Sequence, residues 1–113
     1  MHELSIVMNI IQIAEEESAR NNASAVEEIE LDIGELSGIE LSAFEFAWEQ
    51  AIKSTLLDGS ARKINHIPGE GQCIECEAVF PMHRLYDPCP VCGKHYITVT
   101  KGKELKVRSL VLN

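Results

Sequence analysis

Cys73-Ile-Glu-Cys76 and Cys89-Pro-Val-Cys92, with twelve residues between the pairs, are the stretch on which the reading of this chain turns. A C-x-x-C pair in a tight turn places two sulfurs on one side of the backbone. Two such turns supply four thiolates in a tetrahedron, the arrangement zinc takes in closed structural sites. Pro90 pre-sets the second turn, and Gly93 can adopt the positive φ that brings its N–H toward a sulfur. The spacing therefore predicts one structural Zn(II) on Cys73, Cys76, Cys89 and Cys92. The same thiolates also suit a rubredoxin-like iron centre, as in a small electron carrier. A thiol–disulfide oxidoreductase needs a single C-x-x-C at a helix start on a thioredoxin-like frame, and neither pair is placed so. A closed four-thiolate site leaves no position for water, so its role is structural and not catalytic. His83 and His95 lie nearby, but the tetrahedron is full without them, and both read as surface or packing residues.

Outward from the cysteines, 113 residues with 45% hydrophobic and 25% charged composition fit one small globular unit with a modest core. A metal staple is useful at this size. No apolar run approaches the roughly 20 residues of a membrane span. Met1 to Ser5 lack the charged start and apolar stretch of a signal peptide, so a cytoplasmic protein is expected. In a reducing cytosol, paired cysteines favour metal over disulfides. The net charge is −8, and residues 1–69 carry four Lys/Arg against thirteen Asp/Glu. Residues 70–103 carry four of each. Without a basic face to meet phosphates, nucleic-acid binding is not expected.

Leu4, Val7, Ile11 and Ala14, widened by Ile6, Ile10 and Ile13, predict a helix to about Arg20, stopped by Asn21 and Asn22. Ile29, Leu31 and Ile33 alternate with Glu28, Glu30 and Asp32, which predicts a strand over 26–34 with one wet face. Ser42 followed by Glu45 reads as a capping box opening a second helix, with Leu41, Phe44, Trp48, Ala51 and Ile52 on one side. Phe46 reads as a flanking aromatic. Residues 61–67 and 105–111 predict two more strands, and 96–100 is β-prone. The expected fold class is α/β (α+β): a small three-stranded sheet with two helices and an inserted zinc-ribbon-like module. The expected domains are 1–69, completed by a strand at 104–113, and 70–103 around the cysteines. Glu15-Glu16-Glu17 and Glu27-Glu28 read as solvated faces. No nucleophile–base pair, phosphate loop or paired-carboxylate site is legible, so no enzyme is expected.

The first three residues allow one specific chemistry. A free α-amine, the His2 amide and imidazole nitrogens and the Glu3 amide nitrogen can close in a near-plane around one ion, which suits Ni(II) or Cu(II) better than zinc. Met1-His2-Glu3-Leu4-Ser5, Ile33-Gly34-Glu35-Leu36-Ser37-Gly38-Ile39-Glu40, Phe44 to Glu49, the two C-x-x-C pairs and Gly102-Lys103-Glu104-Leu105 occur in this order. Together, over essentially the whole chain, they resemble the HypA/HybF family of hydrogenase maturation nickel metallochaperones. The resemblance implies a nickel domain containing the N-terminus and a separate zinc domain. It implies His2 as the essential nickel ligand, completed by the Met1 amine and the backbone nitrogens of His2 and Glu3. It also implies delivery of Ni(II) to the hydrogenase large-subunit precursor with the GTPase HypB, and urease maturation proteins as further partners of some members. A carboxylate near Glu40 contributes in some members, and Glu40 stands outside the ligand set expected here. Few ligands at a chain end suit a carrier, because the ion can leave as they peel away one by one. Proton competition at the α-amine weakens such a site as pH falls. A zinc-ribbon interaction module without nickel is the third reading.

Overall fold

The computed structural model describes residues 3–113. Its elements are α1 (Glu3–Arg20), β1 (Val26–Gly34), α2 (Leu41–Ala51), β2 (Ala61–Ile67), β3 (Glu70–Cys73), β4 (Val79–Pro81), β5 (Ile97–Lys101) and β6 (Leu105–Leu112). The class is α+β, with the expected three-stranded sheet in the order β2-β1-β6 and a second, β4-β3-β5. The chain divides into two compact units. One comprises the residues up to Leu31, Ile39–Ile64 and Lys106–Asn113; the other comprises Asp32–Gly38 and Asn65–Leu105. None of the helices described is long and apolar enough to cross a membrane.

In the first unit, α1 buries Ile6, Val7, Ile10, Ile11 and Ala14 and packs on α2. Leu4, read as the start of that stripe, is exposed, and the buried face begins at Ile6 and Val7. The helix stops as its asparagines require. Asn22 takes φ 54°, its N–H reaches the Ala19 carbonyl at 3.3 Å, and the Ala23 N–H reaches that of Ser18 at 2.8 Å. This is a Schellman ending with asparagine in the left-handed position.

The start of α2 differs from the capping-box reading. Glu40 is the N-cap: its carboxylate accepts the Ala43 N–H at 2.7 Å and the Ser42 N–H at 3.3 Å. The Ser42 hydroxyl donates to the same group at 2.6 Å. A full negative charge at the positive end of the helix outcompetes a neutral hydroxyl for the free N–H groups. Glu45 is thereby released to pair with Arg62 at 2.6 Å. The Arg62 guanidinium lies 5.0 Å from the Trp48 ring centre and 5.9 Å from that of Phe44. Phe44 and Trp48 are core residues, whereas Phe46, two positions from each, is 67% exposed.

The second unit is built on β3, which pairs antiparallel with β4 (Gly71 opposite Phe80) and with β5 (Gly71 opposite Val99). Leu36, Phe80 and Met82 form its core with Cys73 and Cys89. Asp32, expected on the wet face of β1, is 1% exposed. Its Oδ1 accepts the Asn65 side-chain N–H at 2.9 Å, a partner that makes burial of the carboxylate tolerable. Gly102 (φ 107°) is required here, since a Cβ on it would stand 2.6 Å from the Cα of Gly69.

Candidate metal centre

The two C-x-x-C segments fold into matching turns. The Glu77 N–H bonds the Cys73 carbonyl at 2.9 Å, and the Gly93 N–H bonds that of Cys89 at 2.8 Å. The residue after each pair is left-handed, at φ 64° for Glu77 and 75° for Gly93. Gly93 was expected to be so; Glu77 was not legible, because its residue type gives no signal for that conformation. Each first turn-sulfur is solvated by the backbone: Cys73 Sγ by the N–H groups of Cys76 and Glu75, and Cys89 Sγ by those of Cys92 and Val91. The second sulfur of each pair accepts from the residue two further on, Ala78 for Cys76 and Lys94 for Cys92.

These turns bring all four sulfurs within 4.8 Å of one another. Cys73 and Cys92 sulfurs are 3.6 Å apart, as are those of Cys76 and Cys89. Cys73 and Cys89 are buried; Cys76 and Cys92 are exposed. Four sulfurs placed about 2.3 Å from a shared tetrahedral centre stand about 3.8 Å apart, so the set fits a zinc-sized ion. The electrostatics agree. The Cys92 N–H, with the neighbouring thiols, brings Cys89 down to about 7, and the Cys76 N–H likewise lowers Cys73. At Cys76 the Ala78 N–H favours the thiolate, but loss of solvent and the three other sulfurs outweigh it and push the thiol up to about 12. Cys92 is raised too: against the Lys94 N–H stand loss of solvent and the Cys73 and Cys89 sulfurs. Four thiolates at this spacing repel one another, and a divalent cation removes that repulsion by charge.

The neighbouring histidines stay outside this cluster. His83 Nδ1 lies 2.9 Å from Glu35 Oε2, and the other oxygen of Glu35 accepts the Gly69 N–H at 2.8 Å. The Glu35 carboxylate pushes the His83 ring up, and the Gly69 N–H followed by His83 holds Glu35 down. His95 is exposed. Sequence reasoning gave Glu35 no role beyond its motif. Its neighbours explain that motif: the Gly34 N–H bonds the Glu104 carbonyl at 2.7 Å, and the Leu36 N–H bonds that of Gly102 at 2.6 Å. Two stretches distant in sequence, Gly34-Glu35-Leu36 and Gly102-Lys103-Glu104, thus pair within the second unit.

Of the residues expected to bind nickel, Met1 and His2 lie outside the described residues. Glu3 opens α1, and its Oε2 accepts the Glu40 N–H at 3.2 Å, which holds the Glu3 carboxyl below its ordinary range. Glu40 in turn spends its own carboxylate on the α2 cap.

Fold and site together define a small α+β metal-binding protein with a four-cysteine centre. Residues 1–112 match a family model described as the hydrogenase/urease nickel incorporation metallochaperone HypA. The chain belongs to the HypA family. It is 51% identical over 99% of its length to the hydrogenase maturation factor HypA of Parabacteroides distasonis, covering 97% of that protein. It is 41% identical to the factor of the same name from Geobacter sulfurreducens, over 97% of each chain. Among solved structures, the Ni metallochaperone HypA from Helicobacter pylori is similar, with a TM-score of 0.71 and 31% identity over 99% of this chain and 97% of that one. The family is one of metallochaperones and maturation factors, not of catalytic enzymes.

Proposed function

We propose that this protein carries Ni(II), bound at its N-terminus, to the precursor of the hydrogenase large subunit, working in the cytoplasm with the GTPase HypB. His2 supplies the imidazole, and the Met1 amine and the backbone nitrogens of His2 and Glu3 complete a planar set. Residues 1–69, completed by 104–113, are read as the nickel-binding domain, although Asp32–Gly38 and residues 65–69 belong to the compact unit that holds the cysteines. Residues 70–103 form a zinc domain in which Cys73, Cys76, Cys89 and Cys92 hold one structural Zn(II). The observation that carries the reading is family membership over residues 1–112. Two features of the site support it. The Glu3 carboxylate, tied to the Glu40 N–H, anchors the first turn of α1 directly after His2. The cysteine set has the spacing of a closed tetrathiolate, which suits a resident ion and leaves the cargo to a different, more open site.

The test is nickel titration of untagged protein and of His2→Ala, with metal analysis of both. The wild type should take up nickel while His2→Ala loses it, and zinc should be present in both. Equal nickel affinities would remove the N-terminal site. One residue added before Met1 should weaken nickel as His2→Ala does, because the amine is displaced. A red protein containing iron would overturn the zinc assignment in favour of a rubredoxin-like centre.

A further inference from the structure

The sulfurs of the cysteine centre are not equivalent, and the inequality has a pattern. Cys76 and Cys92 are open to solvent, while Cys73 and Cys89 are buried. Each 3.6 Å sulfur contact joins an exposed cysteine of one turn to a buried cysteine of the other. An oxidant arriving from solvent meets Cys76 or Cys92 first, and a buried thiolate of the opposite turn is already in contact with whichever sulfur is oxidised.

We propose that this centre is also a hydroperoxide-sensitive modification site, oxidised across the two turns to Cys73–Cys92 and Cys76–Cys89 disulfides with loss of its ion. The inference rests on the zinc reading above. The exposed thiolate attacks one peroxide oxygen, the O–O bond breaks, and a sulfenic acid and hydroxide result. The buried thiolate opposite then attacks the sulfenic sulfur, forming the S–S bond and expelling a second hydroxide. Each disulfide consumes two thiolates and one hydrogen peroxide; two electrons pass from the sulfur pair to the peroxide. For both pairs, the zinc tetrathiolate and two peroxides become Zn(II), two disulfides and four hydroxides. Pairing across the turns also has a structural logic. The Cys73–Cys92 bond ties the end of β3 to the second turn, as the shared ion does. Bonds within each turn would leave the two turns unconnected.

The experiment uses the full untagged chain, with zinc content measured first; a chain without zinc would sink the zinc reading, not the oxidation chemistry. Zinc-loaded protein is treated with hydrogen peroxide in the presence of a chromogenic zinc chelator, then alkylated and cut after glutamate without reduction. Cleavage at Glu75 separates Cys73 from Cys76. Cross-turn oxidation should release the zinc completely and leave both of these fragments bound to the peptide holding Cys89 and Cys92. Fragmentation of that product in the mass spectrometer should give 73–92 and 76–89, and a dithiol with added zinc should restore the starting form. Disulfides within each turn, the 73–89 and 76–92 pairing, or zinc retained through peroxide treatment would each overturn the proposal.

Discussion

Glu77 and Gly93 occupy the same place in the two metal-binding turns, and only one of them is suited to it. A left-handed residue with a side chain carries a penalty of about 1–2 kcal/mol that glycine avoids. Glu77→Gly is therefore expected to stabilise the zinc-loaded protein by about 1 kcal/mol, and Gly93→Ala to destabilise it by a similar amount. Denaturant titration followed with zinc content checks both, and equal shifts in one direction would refute the account. The His83–Glu35 pair carries a pH dependence of definite sign. The Glu35 carboxylate raises His83, so its contribution is complete below the ordinary value of 6.5 and fades as pH rises through the folded value. The Gly69 N–H and His83 lower Glu35, so its contribution is present above 4.5 and fades as pH falls through the folded value. The coupling between the two should be strongest between these limits. A double-mutant cycle with Glu35→Gln and His83→Gln should show it shrinking from about pH 5.5 to about pH 9, by a small amount for a solvent-exposed pair. A constant coupling would mean that the two side chains meet without charge. Neither residue was assigned a partner from sequence, since they stand 48 positions apart.

At the scale of elements, α2 shows how a local motif can be present and yet not be used. Ser42 and Glu45 have the spacing of a capping box, but the preceding Glu40 supplies the cap and Glu45 goes to Arg62. Glu40→Ala should lower the melting temperature more than Ser42→Ala does; the reverse order would restore the capping-box reading. Trp48→Ala removes a core ring beneath the Arg62 guanidinium, and its cost is expected at about 3–5 kcal/mol in urea titration. Periodicity exposed α1, β1 and the middle of α2, because each buries a face with its own repeat, and β6, whose alternate residues are half-buried; over β2 the alternation is weak. It did not expose β3 or β4. Glu70-Gly-Gln-Cys73 has no apolar alternation, and it is a strand because Phe80 and Val99 of other segments flank Gly71. Tertiary pairing, not local preference, makes that strand.

At the scale of the whole molecule, the proposed zinc makes the four cysteines the staple of the second unit, and their removal is expected to act on that unit first. Cys73→Ser or Cys92→Ser should lower zinc stoichiometry and loosen residues 70–103 in hydrogen exchange while residues of α1 and α2 stay protected. Full zinc content with unchanged exchange in either variant would show the ligand assignment to be wrong. The sequence by itself determined the cysteine centre, since C-x-x-C spacing is a local property of two turns and four such thiols have few other uses. It also determined the α+β class, through two periodicities that each report a buried face, and the family, through motifs in order along the chain. What those motifs do physically was decided only in three dimensions. Gly34-Glu35-Leu36 and Gly102-Lys103-Glu104 read as unexplained signatures until backbone hydrogen bonds joined them. The burial of Asp32 against Asn65, the cap from Glu40 and the contact of each exposed cysteine sulfur with a buried one arose likewise. Each depends on groups from separate segments meeting at hydrogen-bond or van der Waals distance, a relation that no local pattern of residues encodes.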